Sequence, residues 1–150
     1  MTAQVGVPVT RLGLGAGLVA GLFAASGVIH LVRPSVFESM VPGFLGDPTP
    51  LVLVSGVAEL ACAAGLAWPR TRRVAGPASA ALLVAIFPAN VAMSVDAWQG
   101  WQAGEDGAGW LAGTLVRLPL QLPLIWWAWR AGRGPRTQRT PRRDGADVVA

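Results

Sequence analysis

Hydrophobic residues in this chain gather into four runs, Leu12–Val32, Leu51–Trp68, Val74–Val95 and Trp110–Trp129. Each is roughly 20 residues, the length at which an α-helix rising about 1.5 Å per residue crosses the hydrocarbon of a bilayer. The pattern predicts an all-α fold, an integral membrane four-helix bundle. Five polar residues are stranded within or at the ends of these runs: His30, Glu59, Asn90, Arg117 and Gln121. A charged group at that depth is costly unless it is paired or hydrated, so each such residue marks either a site or a structural pair.

The connections carry their own signals. After the first run, Ser35 and Glu38 have the S-x-x-E spacing of a capping box. Val36, Phe37, Met40, Val41 and Phe44 then recur at helical spacing up to Pro42-Gly43. This predicts a short amphipathic helix on the outer surface, an interfacial connector in the simpler reading and a lid in the other. Gly13, Gly17, Gly21 and Ala25 place a small residue at every fourth position of the first run. Such a stripe lets another helix approach closely; packing inside the same bundle is preferred here over a dimer face. Pro88 removes the N–H that would bond the Val84 carbonyl, and in lipid that carbonyl needs another partner. Asn90, two residues on, is expected to donate to a neighbouring helix. Pro119 and Pro123 open the fourth run in the same way. Gly104–Gly109 is expected to be a loop.

Depth along the four runs puts the polar residues at similar levels. Arg117 and Gln121 are four apart and share a helix face, as do Ser55 and Glu59. If these faces meet, Glu59 and Arg117 can neutralise each other while Asn90 and Gln121 supply the remaining hydrogen bonds. One reading is a buried pair that only fixes helix register. The other is a polar pocket walled by apolar groups, able to hold the head of a lipid or a quinone. For His30, an interfacial hydrogen-bonded role is preferred over a proton relay. Cys62 reads as a small core residue.

Composition narrows the class. Of 150 residues, 53% are hydrophobic and 13% charged, with a mean hydropathy of +0.49. One cysteine excludes an internal disulfide and a CxxC couple. One histidine leaves no metal-binding cluster, and no phosphate-binding loop, dinucleotide fingerprint or placed catalytic triad is present. Net charge is +4, but its arginines flank the apolar runs, which argues for topology rather than nucleic acid. With four crossings, Arg11, Arg70, Arg72, Arg73, Arg130, Arg133, Arg136, Arg139, Arg142 and Arg143 share one side; Arg33 stands alone on the other, with Glu38, Asp47, Asp96, Glu105 and Asp106. The asymmetry places both termini in the cytoplasm. Trp68, Trp126, Trp127 and Trp129 mark the inner interface, and Trp98, Trp101 and Trp110 the outer one. The expected organisation is a leader at 1–10, a membrane domain at 11–130 and a disordered basic tail at 131–150 whose arginines attract anionic lipid. A cleaved signal peptide ending near 22–26 is the alternative for the first run.

Blocks spread over residues 15–130 resemble the DoxX family of small four-helix membrane proteins. They are Gly27-Val28-Ile29-His30 with Pro34 and Phe37, then Met40-Val41-Pro42, then Ser55-Gly56-Val57-Ala58-Glu59-Leu60. Leu66–Arg73, Phe87-Pro88-Ala89-Asn90-Val91-Ala92-Met93 and Arg117-Leu118-Pro119-Leu120-Gln121 complete the set. Leu31, where an aromatic is expected, and Ala61-Cys62, where glycines are expected, depart from the pattern. The resemblance implies a bundle in a bacterial plasma membrane, with His30, Glu59, Asn90, Arg117 and Gln121 at the polar family positions and links to respiratory or oxidative-stress redox complexes. The leading expectation is an accessory or binding subunit whose intramembrane pocket holds a lipid-soluble molecule. Its expected partners are membrane lipids and membrane redox subunits, with a homodimer as a further candidate. No cofactor is firmly implied; a quinone is the candidate. The alternatives are a quinone-linked oxidoreductase subunit and a dimeric transporter of protons or small solutes.

Overall fold

The computed structural model describes residues 12–133. The helices are α1 (Leu14–Val32), α2 (Ser35–Glu38), α3 (Pro48–Ala67), α4 (Arg72–Ala103) and α5 (Ala108–Ala131), with a 3₁₀ turn at Gly43–Leu45 and no strand among the described residues. Three of them, α1, α3 and α4, are long and apolar enough to cross a membrane. In α5, which has 24 residues, Arg117, Gln121, two prolines and four tryptophans dilute the apolar character. The leader expected at 1–10 and most of the basic tail lie outside the described residues. So do the arginines at 11, 136, 139, 142 and 143.

Local sequence sets the helix ends. Asp47 accepts the Thr49 N–H at 3.1 Å as the N-cap of α3, with Pro48 at the first helical position. The turn between α3 and α4 is tied from both directions. The Thr71 hydroxyl donates to the Gly65 carbonyl at 2.7 Å, and Arg72 Nε donates to the Leu66 carbonyl at 2.8 Å. Arg72 therefore closes the exposed carbonyl end of α3 as well as carrying a topological charge. Helix α4 runs eight residues past the expected end at Val95. At 32 residues it is about 48 Å long, more than the roughly 30 Å of hydrocarbon. It stops at Gly104, whose φ of 77° suits a residue without a Cβ.

The capping box does not form. Pro34 is the N-cap of α2, Ser35 is already helical, and no side chain caps the helix. Glu38 instead accepts the Thr49 hydroxyl at 2.8 Å, fastening α2 to the start of α3. The helix is a single turn: Val41 precedes Pro42, which steers it out of the α region, and no longer apolar face is available to repay nucleation.

Helix α1 packs along α3 and α4 along α5, while α3–α4 and α1–α5 contacts close the ring. Val19, Phe23, Ala63, Leu66, Ala75, Ala80, Leu83 and Ala128 form the apolar core. Large apolar side chains also cover the outside, among them Val54 at 67% exposed and Leu122 at 68%, a surface that suits lipid rather than water. The stripe of Gly13, Gly17, Gly21 and Ala25 is not buried within the bundle. Gly13, Gly21 and Ala25 are exposed, and nothing lies within 4 Å of where a Cβ on Gly13 or Gly21 would sit. The packed face of α1 is instead Ala16, Val19, Phe23, Gly27 and His30, a ridge of three- and four-residue steps.

Candidate functional site

Two glycines bring the first pair of polar groups together. A Cβ on Gly27 would stand 2.8 Å from the Gly56 carbonyl oxygen, and one on Gly56 would stand 2.7 Å from the His30 Cβ. Only hydrogen fits at both positions, so α1 and α3 meet almost backbone to backbone. His30 and Glu59, each three residues further along its helix, then face each other. Both are buried, at 9% and 3% exposed. Their closest approach is 3.6 Å, from His30 Nδ1 to Glu59 Oε2.

That distance is too long for a hydrogen bond, and the imidazole is held elsewhere. His30 Nδ1 donates to the Ser26 carbonyl at 2.8 Å, with the Ser26 hydroxyl 3.3 Å away. A carbonyl can only accept, so Nδ1 carries the proton and Nε2 is the variable nitrogen. Phe37 of α2 stacks flat on the ring, centroids 3.7 Å apart and planes 11° from parallel. The Glu59 Oε2 is buried without a hydrogen-bond partner.

The second pair sits on the other two helices. Asn90 Nδ2 donates to Gln121 Oε1 at 2.9 Å, and Gln121 Nε2 donates to the Leu83 carbonyl. Asn90 does reach a neighbouring helix, as expected. The backbone carbonyl that receives the side-chain amide is Leu83's, one step before Val84, and its donor is Gln121. Pro88 removes an N–H from this part of α4 and its ring presses the preceding turn. The Gln121 amide enters from α5 at that turn.

The expected contact between Glu59 and Arg117 is not made. Arg117 Nη1 lies 3.9 Å from Met93 Sδ, and the ionisable side chain beside Glu59 is His30. The cause is helix order. Helix α3 packs on α1 and α5 packs on α4, and α3 and α5 are not among the closely packed pairs. Glu59 and Arg117 therefore sit on opposite walls.

Between those walls is a cavity of about 460 Å³ lined by all five residues, His30, Glu59, Asn90, Arg117 and Gln121. Its floor and sides include Phe23, Val52, Leu83, Ile86 and Leu124, and its roof is Phe37, Met40, Val41, Pro42 and Leu45 from the α2 connection. Arg117 is exposed and stands at the rim, whereas Glu59 and Gln121 are deep. Ser55 lines the cavity but turns its hydroxyl to the Val52 carbonyl at 2.8 Å. Cys62 is outside the lining and packs against the core. Sequence reasoning missed Ser26, although its position four residues before His30 is the signal for a side chain reaching back along its own helix. It also gave Phe37 to a surface helix rather than to the face of His30.

The volume falls in the range of small-molecule sites, and the mixture of apolar wall with a few converging polar groups is the usual makeup of such sites. No curated protein and no solved structure matches the chain. A family model described as "Domain of unknown function (DUF8561)" matches residues 19–132, from the second turn of α1 to just past the end of α5. The chain thus belongs to the DUF8561 family.

Proposed function

We propose that this chain is a multi-pass membrane protein that binds a lipid-soluble molecule in the cavity between its helices, as an accessory or binding subunit beside membrane redox complexes. The observation that carries the reading is the cavity of about 460 Å³, lined by apolar side chains and by every stranded polar residue of the sequence. Groups that cost energy to bury in a membrane are gathered where a ligand could use them.

In this reading α5 is a fourth crossing, about 36 Å long, with Trp110 near one end and Trp126, Trp127 and Trp129 near the other. The ends also differ in charge. Arg70, Arg72 and Arg73 lie around the α3–α4 turn, and Arg130 and Arg133 close α5 beside it, Gly132 lying against the Arg72 and Arg73 carbonyls. Arg130 and Arg133 lie over the rings of Trp126 and Trp129 at 5.5 and 5.2 Å. The positive-inside rule then favours cytoplasmic termini in a bacterial plasma membrane. The redox association rests on the likeness of the sequence blocks to DoxX proteins alone. A quinone-linked subunit is the second reading, favoured by a carboxylate and an imidazole 3.6 Å apart on an apolar cavity, groups able to exchange protons with a quinone served by a partner.

Native mass spectrometry of the full chain, released gently from its own membrane, tests the reading. The expected result is a co-purifying lipophilic molecule on the wild type that is lost from Glu59→Gln. A wild type that retains no such molecule and takes up none on titration with membrane lipid extract would overturn it.

A further inference from the structure

Which head group the cavity takes can be read from the polar valences that the protein leaves open. On one wall the two amides are tied together: Asn90 gives its amide to Gln121, and Gln121 gives its own to the Leu83 carbonyl. On the other wall a buried acceptor is left over. Glu59 Oε2 is buried and has no hydrogen-bond partner, and the nearest donor nitrogen, His30 Nδ1, is given to Ser26. At the rim, Arg117 meets a thioether sulfur at 3.9 Å, a weak acceptor for a group carrying five N–H donors.

A ligand that completes this set brings one hydrogen-bond donor to Glu59 and one oxygen acceptor to Arg117. Its net charge follows from the same inventory. By formal charge, the acidic and basic side chains on the lining are one carboxylate, Glu59, and one guanidinium, Arg117, which cancel. An anionic head would satisfy Arg117 but meet an unbonded carboxylate oxygen in a low-dielectric cavity. A cationic head would satisfy Glu59 but meet the guanidinium. Each leaves a like-charge contact that an uncharged head avoids. A head with acceptors alone would leave Glu59 Oε2 as unsatisfied as it is now.

Resting on the reading of the cavity as a lipid-soluble ligand site, we infer that its ligand class is an uncharged amphiphile whose head carries both a hydroxyl donor, for Glu59, and an ester or carbonyl oxygen, for Arg117. Anionic lipids and fatty acids are excluded from it, and so are purely acceptor heads such as simple esters.

Four probes with one acyl or alkyl chain length and different heads test this on the delipidated full-length protein in a non-ionic detergent. They are monoolein (donor and acceptor), methyl oleate (acceptor only), oleate (anion) and oleylamine (cation), each titrated by native mass spectrometry. Monoolein is expected to bind about tenfold more tightly than any of the others, or better, the cost of one unmet buried group. In Glu59→Leu monoolein is expected to fall to the level of methyl oleate. In Glu59→Gln, where the like-charge contact is gone, oleate is expected to gain on monoolein. Methyl oleate, oleate or oleylamine matching monoolein on the wild type would overturn the assignment of the head while leaving a ligand site in place. Failure of all four to bind would overturn the ligand site itself, and this inference with it.

Discussion

The two walls of the cavity bury polar side chains in opposite ways. On the α4–α5 wall, Asn90 and Gln121 are neutral amides that hydrogen-bond to each other and on to the Leu83 carbonyl beside the Pro88 break. Their burial serves the fold. On the α1–α3 wall, Glu59 is an ionisable carboxyl group that keeps an oxygen without a partner and has as its neighbour an imidazole whose proton is given to Ser26. Nothing in the packing of α1 on α3 requires that carboxylate, because the close approach is made by Gly27 and Gly56. The difference separates polar residues that hold the bundle from polar residues held by it.

The comparison can be broken at several points. The largest effect is expected where both walls depend on helix spacing. Gly56→Leu would drive a side chain into His30 Cβ and the Gly27 carbonyl, 2.7 and 3.1 Å from the first added carbon. It should cost about 3 kcal/mol in reversible unfolding from mixed detergent micelles, and should abolish ligand retention with it. Next is Gln121→Leu, which strands the Leu83 carbonyl and the Asn90 amide. A loss of about 1–3 kcal/mol is expected in the same assay. Phe37→Ala removes the ring stacked on His30 and should cost about 1 kcal/mol, with faster exchange of bound ligand as the roof opens. The smallest change in stability belongs to Glu59→Gln. An amide replacing an incompletely satisfied buried carboxylate should leave unfolding within about 1 kcal/mol of wild type, on the stable side if anywhere, while ligand occupancy falls.

Much of this was legible in the residues themselves. Apolar runs of roughly 20 residues placed the helices to within a few positions except at the far end of α4, which runs eight residues further, and their stranded polar residues all proved to line one cavity. Charge complementarity suggested the wrong partner for Glu59, because opposite signs at similar depth do not reveal which helices are neighbours. The helix order set by close packing put His30 beside the carboxylate and Arg117 across the cavity. The stripe from Gly13 to Ala25 misled for a related reason. Small residues permit close approach but do not require it, and the contact fell to Gly27, the small residue that meets a second glycine on α3. Ser35 and Glu38 had capping-box spacing, yet Pro34 took the cap position and Thr49 took the carboxylate. Spacing along a chain can describe a local motif; it cannot register a competing partner eleven residues away.

The measurement closest to the central claim takes stability and ligand occupancy from the same preparations of wild type, Gln121→Leu and Glu59→Gln, by chemical unfolding and native mass spectrometry. The account predicts a crossed result. Gln121→Leu unfolds more easily and still carries ligand while folded, whereas Glu59→Gln is as stable as wild type and has lost the ligand. If instead Glu59→Gln unfolds as readily as Gln121→Leu and neither variant changes occupancy, both walls are structural and the carboxylate is not held for a ligand.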